Sequence, residues 1–459
     1  MNDRARSSAP DWTPDSWRAR PSAQEIAYPS APELDAAAGR LATLPPLVTS
    51  WEIENLREQL AGAQEGRRFV LQGGDCAETL ADCRPDAIAS KLKILLQMSL
   101  VLIHGLKKPV ARVGRFAGQY AKPRTSPTET REGRTLPSYF GDLVNRAEFT
   151  PEARAPDPRL LLRGYQHAAM TLNFIRALVE RGFADFHHPE YWDLSFLRQA
   201  SLSPTLRDEY ERMTRNLADG LEFMEALGER TVGELSGVEF YTSHDGLNLH
   251  YESAQTRRVP RREGFYCLTT HFPWIGDRTR ALDGPHVEFF RGVRNPVAVK
   301  LGPAATPEEV AALCERLNPG DEPGRLTLVT RLGAESVPRS LPRLIDAASG
   351  RRVLWMCDPM HGNTVATAGG GGRKTRSFDA ILRELEATIE THTAAGSRLG
   401  GVHFELTGED VTECVGGAAG ITEAGLSARY DSLCDPRLNY QQALEMAFLL
   451  ARKLSRAVG

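Results

Sequence analysis

A short apolar run ends in a cluster of polar residues in Val353-Leu-Trp-Met-Cys-Asp358-Pro-Met-His361-Gly-Asn363-Thr364. The run is β-prone and the turn after it is crowded with Asp, His and Asn, which is typical of a buried strand that delivers polar side chains to an active site. The same pattern recurs in Phe69-Val-Leu-Gln-Gly-Gly-Asp75-Cys76, Val297-Ala-Val-Lys300-Leu-Gly-Pro, Leu326-Thr-Leu-Val-Thr-Arg331 and Gly401-Val-His403-Phe-Glu405. Repeated apolar strands with charged tips predict an α/β fold, a (β/α)8 TIM barrel with its chemistry at one rim.

The bulk composition is that of an ordinary globular protein. The 459 residues include 56 Lys and Arg against 59 Asp and Glu, so no global basic field indicates a nucleic-acid or anionic membrane partner. The longest apolar run, from Leu92 to Ile103, contains Lys93 and is short of the roughly 20 residues of a membrane span. The N-terminus shows no apolar signal segment, and the seven scattered cysteines do not suggest a disulfide framework. We therefore expect a cytoplasmic protein.

Two regions are expected along the chain. Residues 1–67 are predicted to be an N-terminal arm and helix, and residues 68–459 a catalytic barrel with a helical insertion at about 190–230. The proline-rich residues 1–48 are interpreted as an extended arm. A helix from Ser50 to Gln64 is predicted from the capping-box spacing of Thr49 and Glu52, and apolar residues that step by three and four predict an amphipathic helix at 205–228.

Nine segments have the apolar, β-prone character of strands, one more than the barrel requires. Ala184–His187 is discarded because it is short and lies among the insertion helices. The remaining eight are Phe69–Gln72, Val110–Phe116, Val238–Ser243, Phe265–His271, Pro296–Leu301, Leu326–Arg331, Val353–Cys357 and Val402–Leu406. Helices are expected at about 85–103, 159–182, 306–317 and 377–393.

Four residues at strand or loop tips are candidate metal ligands. They are Cys76, His361, Glu405 and Asp435. A mixed set of sulfur, nitrogen and oxygen donors suits a borderline divalent cation but does not choose among Mn, Fe, Co and Zn. No local CxxC or HExxH spacing supports the assignment, so each residue also has a structural interpretation: buried thiol, turn donor, salt-bridge partner and helix cap, respectively.

A second group of residues at the predicted strand ends is cationic. Its members are Arg115, Lys122, Arg124, Arg278, Lys300 and Arg331. Several cations directed at one mouth indicate a substrate with more than one anionic group, such as a phosphate and a carboxylate, although solvated surface charge is the alternative for any single residue. Lys300 is the hardest to assign to the surface because it lies inside an apolar strand, and a Schiff-base lysine is a rival role for it.

Seven motifs resemble those of one enzyme family, the type II 3-deoxy-D-arabino-heptulosonate 7-phosphate (DAHP) synthases, which open the shikimate pathway. They are Leu71-Gln-Gly-Gly-Asp-Cys-Ala-Glu78, Arg115-Phe-Ala-Gly-Gln-Tyr-Ala-Lys-Pro-Arg124, Trp274-Ile-Gly-Asp-Arg-Thr-Arg280, Val299-Lys-Leu-Gly-Pro303, Cys357-Asp-Pro-Met-His-Gly-Asn-Thr364, Thr407-Gly-Glu-Asp-Val-Thr-Glu-Cys414 and Cys434-Asp-Pro-Arg-Leu-Asn439. The motifs span residues 70 to 440 in order, so chance is a poor explanation.

This resemblance implies a (β/α)8 barrel that catalyses a metal-dependent, aldol-type condensation of phosphoenolpyruvate with erythrose 4-phosphate. It also implies roles for the residues above. Cys76, His361, Glu405 and Asp435 would be the metal ligands; Arg115, Arg278, Lys300 and Arg331 would bind phosphoenolpyruvate; and Lys122, Arg124 and Thr125 would receive the aldose phosphate. Manganese is the expected metal, with Co, Fe and Zn as alternatives, and a homo-oligomer (dimer or tetramer) with aromatic amino-acid effectors is expected. Lys300 would then be an electrostatic clamp and not a Schiff base.

One position departs from the family pattern, Asp277, where the family has Glu. A carboxylate one methylene shorter could still hold a water near phosphoenolpyruvate, but positioning is sensitive to about 1 Å. Two alternatives therefore stay open: a homologue in secondary metabolism that uses an amino or imino analogue of the aldose phosphate, and a non-catalytic regulatory barrel.

A separate hypothesis concerns Cys434, beside Asp435: its oxidation to a disulfide with Cys76 would expel the metal.

Overall fold

Eight parallel strands form the centre of the protein in this computed structural model, which describes residues 12–182, 204–226, 239–367 and 373–458. The strands are β1 (Phe69–Gly74), β2 (Val110–Arg115), β3 (Tyr241–Thr242), β4 (Trp274–Ile275), β5 (Val297–Leu301), β6 (Leu326–Thr330), β7 (Val353–Cys357) and β8 (Leu399–Glu405). Their order in the sheet is β3-β2-β1-β8-β7-β6-β5-β4. Hydrogen bonds from Phe272 N to Thr242 O (3.1 Å) and from Trp274 N to His244 O (3.1 Å) join the two end strands. The sheet is thus closed into the predicted (β/α)8 barrel.

Helices surround the barrel and supply its outer layer. They are α1 (Ala31–Ala42), α2 (Ser50–Gln64), α3 (Pro85–Leu106), α4 (Pro151–Arg154), α5 (Arg159–Ala177), α6 (Pro204–Ala226), α7 (Leu249–Ala254), α8 (Pro285–Arg291), α9 (Pro307–Leu317), α10 (Val337–Ala347), α11 (Phe378–Ala394) and α12 (Tyr440–Val458). Short 3-10 helices occupy Ser16–Ala19, Leu80–Asp82, His361–Asn363 and Glu423–Ser427, and a π-helical turn occupies Leu178–Gly182. Antiparallel hairpins pair Thr128–Arg131 with Arg134–Pro137, Thr256–Arg258 with Phe265–Cys267, and Thr364–Ala366 with Lys374–Arg376.

The local signals read from the sequence account for several of these elements. The capping box of Thr49 and Glu52 is present at the start of α2. Of the described helices, α3 is the one long and apolar enough to cross a membrane, and 67% of its most apolar window is buried inside the protein. Its apolar face shares a core with α12, so its hydrophobicity is that of a buried helix.

The fourth barrel strand was predicted in the wrong place. Phe265–Cys267 pairs antiparallel with Thr256–Arg258, and the side chain of Asn295 binds both the backbone N (2.9 Å) and the backbone O (2.8 Å) of Cys267. These contacts occupy the backbone groups that a barrel strand would offer to its neighbours. The fourth strand of the barrel is instead β4, because tertiary pairing outweighs the β-propensity of Phe265–His271.

The sequence predicted an extended N-terminal arm, but the arm is not extended throughout. The helix α1 interrupts it, and the Ser30 hydroxyl caps this helix by accepting the Glu33 N–H (3.3 Å). Pro32 lies in the first turn, where a proline is tolerated because its missing N–H has no helical partner. Ala184–His187 and residues 190–203 and 227–230 lie outside the described residues, so of the predicted insertion only α6 is described.

Candidate active site

The charged strand tips meet at one rim of the barrel. Arg115 and Glu405 are the last residues of β2 and β8, and Lys300 lies one residue before the end of β5. Cys76, Arg331 and His361 follow β1, β6 and β7 within a few residues. Because all eight strands are parallel, their carboxyl ends share one edge of the barrel, and the predicted site residues are brought together there.

Four of these groups surround the ammonium of Lys122. Its Nζ lies 2.5 Å from Asp435 Oδ2, 2.6 Å from Cys76 Sγ, 3.3 Å from Glu405 Oε1 and 3.4 Å from His361 Nε2. His361 Nε2 also lies 2.9 Å from Glu405 Oε1. The four predicted metal ligands therefore converge on a single point, and the group at that point is a cation.

Asp358 orients His361 within this cluster. Its Oδ2 lies 2.7 Å from His361 Nδ1 and 2.8 Å from Lys300 Nζ, and its Oδ1 accepts the backbone N–H groups of Met360 and His361. Burial raises the pKa of Asp358, but His361 and Lys300 lower it further, and the net pKa lies well below the usual range. A charged Asp358 accepts the Nδ1 proton, so the lone pair of Nε2 points toward the other three donors.

Glu405 is completely buried between two guanidinium groups. Arg115 Nη2 donates to its Oε1 (3.0 Å), and Arg376 Nη1 donates to its Oε2 (2.6 Å). Burial raises the pKa of Glu405, yet His361, Lys122 and the two arginines together hold it well below its ordinary value. The carboxylate is therefore charged and fixed in orientation.

The donor set fits a divalent metal. His361, Glu405 and Asp435 place their ligand atoms within 4.8 Å of one another, as do Cys76, Cys434 and Asp435. Sulfur, imidazole and carboxylate donors in one cluster suit borderline cations. The ammonium that the four groups already hold shows, independently, that the electrostatic potential at this point favours positive charge.

Arg115 and Lys300 lie beside this cluster and share one neutral acceptor. His403 Nε2 lies 2.6 Å from Arg115 Nη1 and 3.0 Å from Lys300 Nζ, and its Nδ1 lies 2.7 Å from Gln72 Oε1. Burial and the two cations hold the pKa of His403 well below its usual value, so the ring is neutral and donates from Nδ1. Burial lowers the pKa of Lys300 to about 8.

Asp277 binds protein groups with both carboxylate oxygens. Oδ1 accepts the backbone N–H of Gly302 (2.7 Å) and a guanidinium N–H of Arg280 (2.7 Å), and Oδ2 accepts from Arg331 (3.0 Å). The shorter side chain thus positions Arg331 against the end of β5.

Some of the predicted substrate-binding residues line a cavity at the rim, and others lie at its margin. A cavity of about 30 Å³ is lined by Arg115, Gln119, Lys122, Pro123, Asp245, Trp274, Gly276, Asp277, Arg278, Lys300, Arg331 and His361. Arg124 and Thr125 do not line it: Arg124 Nη1 lies 2.6 Å from Cys434 Sγ, and Thr125 Oγ1 accepts from Arg278 (2.8 Å).

Sequence reasoning missed four residues at this rim: Asp245, Asp358, Arg376 and His403. Three of them carried a usable signal. Asp358 is the first polar residue after an apolar strand, and Asp245 lies two residues after the predicted strand that ends at Ser243. His403 lies two residues before Glu405, on the same face of one strand. No such signal marks Arg376, which reaches Glu405 from a hairpin.

Comparisons with known proteins agree with one another along nearly the whole chain. Residues 12–451 match the Class-II DAHP synthetase family. A phospho-2-dehydro-3-deoxyheptonate aldolase of Neurospora crassa is 46% identical over 469 residues, which cover 98% of this chain and 96% of the relative. One of Streptomyces coelicolor is 47% identical over 437 residues, covering 95% and 96%, respectively.

A solved structure of a phospho-2-dehydro-3-deoxyheptonate aldolase from Francisella tularensis SCHU S4 covers 92% of this chain and 97% of its own, with a TM-score of 0.45 at 14% identity, a likeness too weak to bear on function. The family match and the two relatives extend over nearly all of the chain, and the residues matched by the family contain every motif that carried the resemblance. The chain belongs to the class-II DAHP synthetase family.

Proposed function

We propose that this protein condenses phosphoenolpyruvate with erythrose 4-phosphate, with the addition of water, to give DAHP and inorganic phosphate. One observation carries the proposal: a cluster of four metal-type donors and a group of cations, of which Arg115 and Lys300 are buried, share one barrel rim. The donor cluster suits the aldehyde end of the reaction, and the cations suit a substrate that carries a phosphate and a carboxylate.

The cations divide between the two substrates. Arg115, Arg278, Lys300 and Arg331 line the cavity and bind phosphoenolpyruvate so that its carbon 3 faces the aldehyde. Lys122, which also lines the cavity, receives the aldose phosphate together with Arg124 and Thr125 at the margin. Lys300 acts as a charged clamp because Asp358 stabilises its ammonium form at 2.8 Å, which argues against a free amine that would form a Schiff base.

Cys76, His361, Glu405 and Asp435 would hold a divalent metal, manganese before cobalt, iron or zinc. Such an ion supplies Lewis acidity that polarises the aldehyde oxygen. The protein prepares this site with its own charges, since Asp358 fixes the imidazole of His361 and Arg376 fixes the carboxylate of Glu405.

A second candidate substrate, an amino or imino analogue of the aldose phosphate, is favoured by the engagement of Asp277. Its two oxygens bind Arg280, Gly302 and Arg331, so it does not offer the oxygen that a longer carboxylate could direct at the reacting atoms. A site changed at this point could have a changed substrate.

Phosphate release from phosphoenolpyruvate in the presence of manganese tests these functions. Wild-type protein and Asp277→Glu are each assayed with erythrose 4-phosphate and with its amino and imino analogues. Turnover of erythrose 4-phosphate by the wild type supports the proposed reaction, and turnover confined to an analogue supports the second candidate. No phosphate release with any aldose would indicate a non-catalytic barrel, and metal-stripped protein is the control.

The assembly and its regulation remain predictions. We infer a cytoplasmic homo-oligomer, dimer or tetramer, and the exposed side chains of Trp51 on α2 and Met170 on α5 support an interface there.

A cavity of about 550 Å³ lies outside the rim, with Arg84, Arg163 and Glu409 in its wall. Its mixed charges suit the ammonium and carboxylate of an amino acid, which supports an aromatic amino-acid effector. Light scattering and binding titration with each aromatic amino acid test both predictions.

A further inference from the structure

Arg437 joins two loops that come from opposite ends of the chain. Its Nη1 donates to Asp75 Oδ1 at 2.6 Å, while its Nη2 and Nε donate to the two carboxylate oxygens of Glu413 at 2.7 and 3.0 Å. Asp75 directly precedes Cys76, and Arg437 lies two residues after Asp435. One guanidinium group therefore holds the loop of the sulfur donor against the loop of an oxygen donor.

Glu413 shapes the loop that carries Asp435. Its Oε1 accepts the backbone N–H groups of Asp431 (3.2 Å) and Ser432 (2.8 Å), and its Oε2 accepts the backbone N–H of Arg437 (2.7 Å). The Glu413 side chain is completely buried. Because both ends of the segment 431–437 bind one buried carboxylate, the backbone of Asp435 between them has little freedom to move.

Asp75 is held from two sides at the other end of the bridge. Its Oδ1 accepts from Arg437, and its Oδ2 lies against the ammonium of Lys91 on α3. Both Asp75 and Lys91 are buried. A buried ion network adds little net stability over apolar groups of the same size, because the cost of removing its charges from water offsets their attraction. It can, however, fix the geometry of the groups that it joins.

The two donors served by this bridge lack the support that the other donors have. Glu405 lies inside β8, and His361 is oriented by Asp358, whereas Cys76 and Asp435 lie on loops outside the barrel strands. Cys76 Sγ nevertheless lies 3.7 Å from Asp435 Oδ2 and accepts the backbone N–H of Asp435 at 3.2 Å. Two loops that are distant in sequence need an anchor to keep this separation.

We propose that Arg437 is a positioning residue for the metal site. Through Asp75 and Glu413 it holds Cys76 and Asp435 at the separation at which both can bind one divalent cation. The guanidinium fork suits this task because it donates to two carboxylates at once in a fixed geometry, which the single ammonium of a lysine does not reproduce. The inference rests on the proposed metal-dependent function and adds the residue that brings together its two loop donors.

The bridge could instead serve stability alone, and the two roles have different consequences. A role in stability lowers the melting temperature of the metal-free protein and leaves the metal affinity of the folded protein unchanged. A positioning role lowers the metal affinity of protein that is still folded. Groups that orient metal ligands from behind commonly contribute about 10-fold to 100-fold to metal affinity.

The test is calorimetric titration of metal-stripped protein with Mn²⁺. Arg437→Lys keeps the charge but loses the fork, and Asp75→Asn keeps the shape but weakens the bridge, so each should raise the Kd about 10-fold to 100-fold. Arg429→Lys is the matched control, because Arg429 precedes the same loop and pairs at the surface with Glu409 and Asp431. Its Kd should stay within threefold of wild type.

The double variant shows whether Arg437 and Asp75 act through each other. If the bridge between them positions the donors, either single change already breaks it, so the Kd of Asp75→Asn/Arg437→Lys should lie within threefold of the weaker single variant. If the two residues act independently, the double variant should lose the product of the two single losses. Thermal melts of the metal-free proteins establish that each variant is folded at the titration temperature.

Each outcome decides the inference. An Arg437→Lys protein that binds Mn²⁺ within threefold of wild type overturns it, and so does a double variant whose loss is the product of the single losses. Should Arg437→Lys not fold, Asp75→Asn must raise the Kd at least tenfold by itself, and a smaller change overturns the inference. Wild-type protein that binds no Mn²⁺ would overturn the proposed metal site, whereas equally tight binding by wild type and both single variants overturns only the role of Arg437.

Discussion

The two halves of the barrel rim balance their charges in opposite ways. In the donor half, one cation, the ammonium of Lys122, is surrounded by Cys76, His361, Glu405 and Asp435. In the cation half, Arg331 and Lys300 are each held by a short carboxylate at a strand tip, Asp277 and Asp358, respectively. In both halves, protein groups of the described part of the chain thus compensate the charges of these residues.

The compensating groups differ in how firmly they are fixed. Lys122 reaches the donors on a flexible four-carbon stem from the loop after β2. Asp277 and Asp358 have a single methylene each and also accept backbone N–H groups, from Gly302 in one case and from Met360 and His361 in the other. The donor half can therefore exchange its cation, while the cation half is pre-organised for an anion.

The largest predicted effect concerns the exchangeable half. Asp435→Asn removes a charged oxygen from the point where four donors meet, and we expect the Kd for Mn²⁺ to rise about 100-fold or more, because a neutral amide is a weak ligand beside three remaining donors. Isothermal titration of the purified protein measures this directly. Asp431→Asn, an exposed change four residues away, is the matched control. Equal Mn²⁺ affinity in the two variants would remove Asp435 from the ligand set.

A second predicted effect tests the pre-organised half through pH. Because burial lowers the pKa of Lys300 to about 8, its ammonium is present below that pH and is lost above it. The affinity for phosphoenolpyruvate should therefore fall by up to about tenfold for each pH unit above 8, since one cation of the site is neutralised. Lys300→Arg keeps its charge at all these pH values and should abolish the alkaline fall. A wild-type Kd that is flat from pH 7 to 9.5 would contradict this explanation.

The two halves were not equally predictable from sequence. Apolar runs in the sequence identify the barrel strands, and polar residues at the carboxyl ends of those strands face one rim. This reasoning identified Arg115, Lys300 and Glu405. The donors Cys76 and Asp435 are 359 residues apart: their place at strand or loop tips made them candidates, and the family resemblance then implied that they are ligands. No local spacing encodes a site assembled from loops at both ends of the chain.

The sequence did not predict which protein groups each charged side chain binds. For Asp277 the sequence suggested a water as a possible partner, and the structure shows that its carboxylate binds Arg331 and the backbone N–H of Gly302 after β5. Phe265–His271 was expected in the barrel, yet Phe265–Cys267 forms one strand of a hairpin and binds the side chain of Asn295. Both outcomes depend on competition between neighbours distant in sequence, which local propensity does not contain.

The smallest predicted effect concerns Glu384, the residue on α11 that joins the two halves. Its Oε1 accepts the backbone N–H groups of Leu332 (2.8 Å) and Gly333 (3.0 Å), and its Oε2 accepts from Asn363 (2.6 Å). It thereby ties the loop that carries Arg331 to the loop that carries His361. Glu384→Gln should raise the KM for phosphoenolpyruvate about threefold, since a neutral acceptor holds the Arg331 loop less firmly.

The same variant has a signature in stability. Burial raises the pKa of Glu384 to about 7, so between about pH 4 and 7 the folded protein binds more protons than the unfolded chain, and this residue makes stability fall as pH rises through that window. Glu384→Gln lacks that contribution, so its unfolding free energy relative to wild type should improve by on the order of 2 kcal/mol between pH 4.5 and 8.

Urea unfolding at both pH values measures this change, and Glu445→Gln is the matched control. Burial likewise raises the pKa of Glu445 to about 7, but its carboxylate accepts the Ala418 N–H and holds no loop that carries a rim residue. Both variants should show the pH-dependent gain in stability, and only Glu384→Gln should raise KM. An equal KM for the two would mean that the halves of the rim are positioned independently of Glu384.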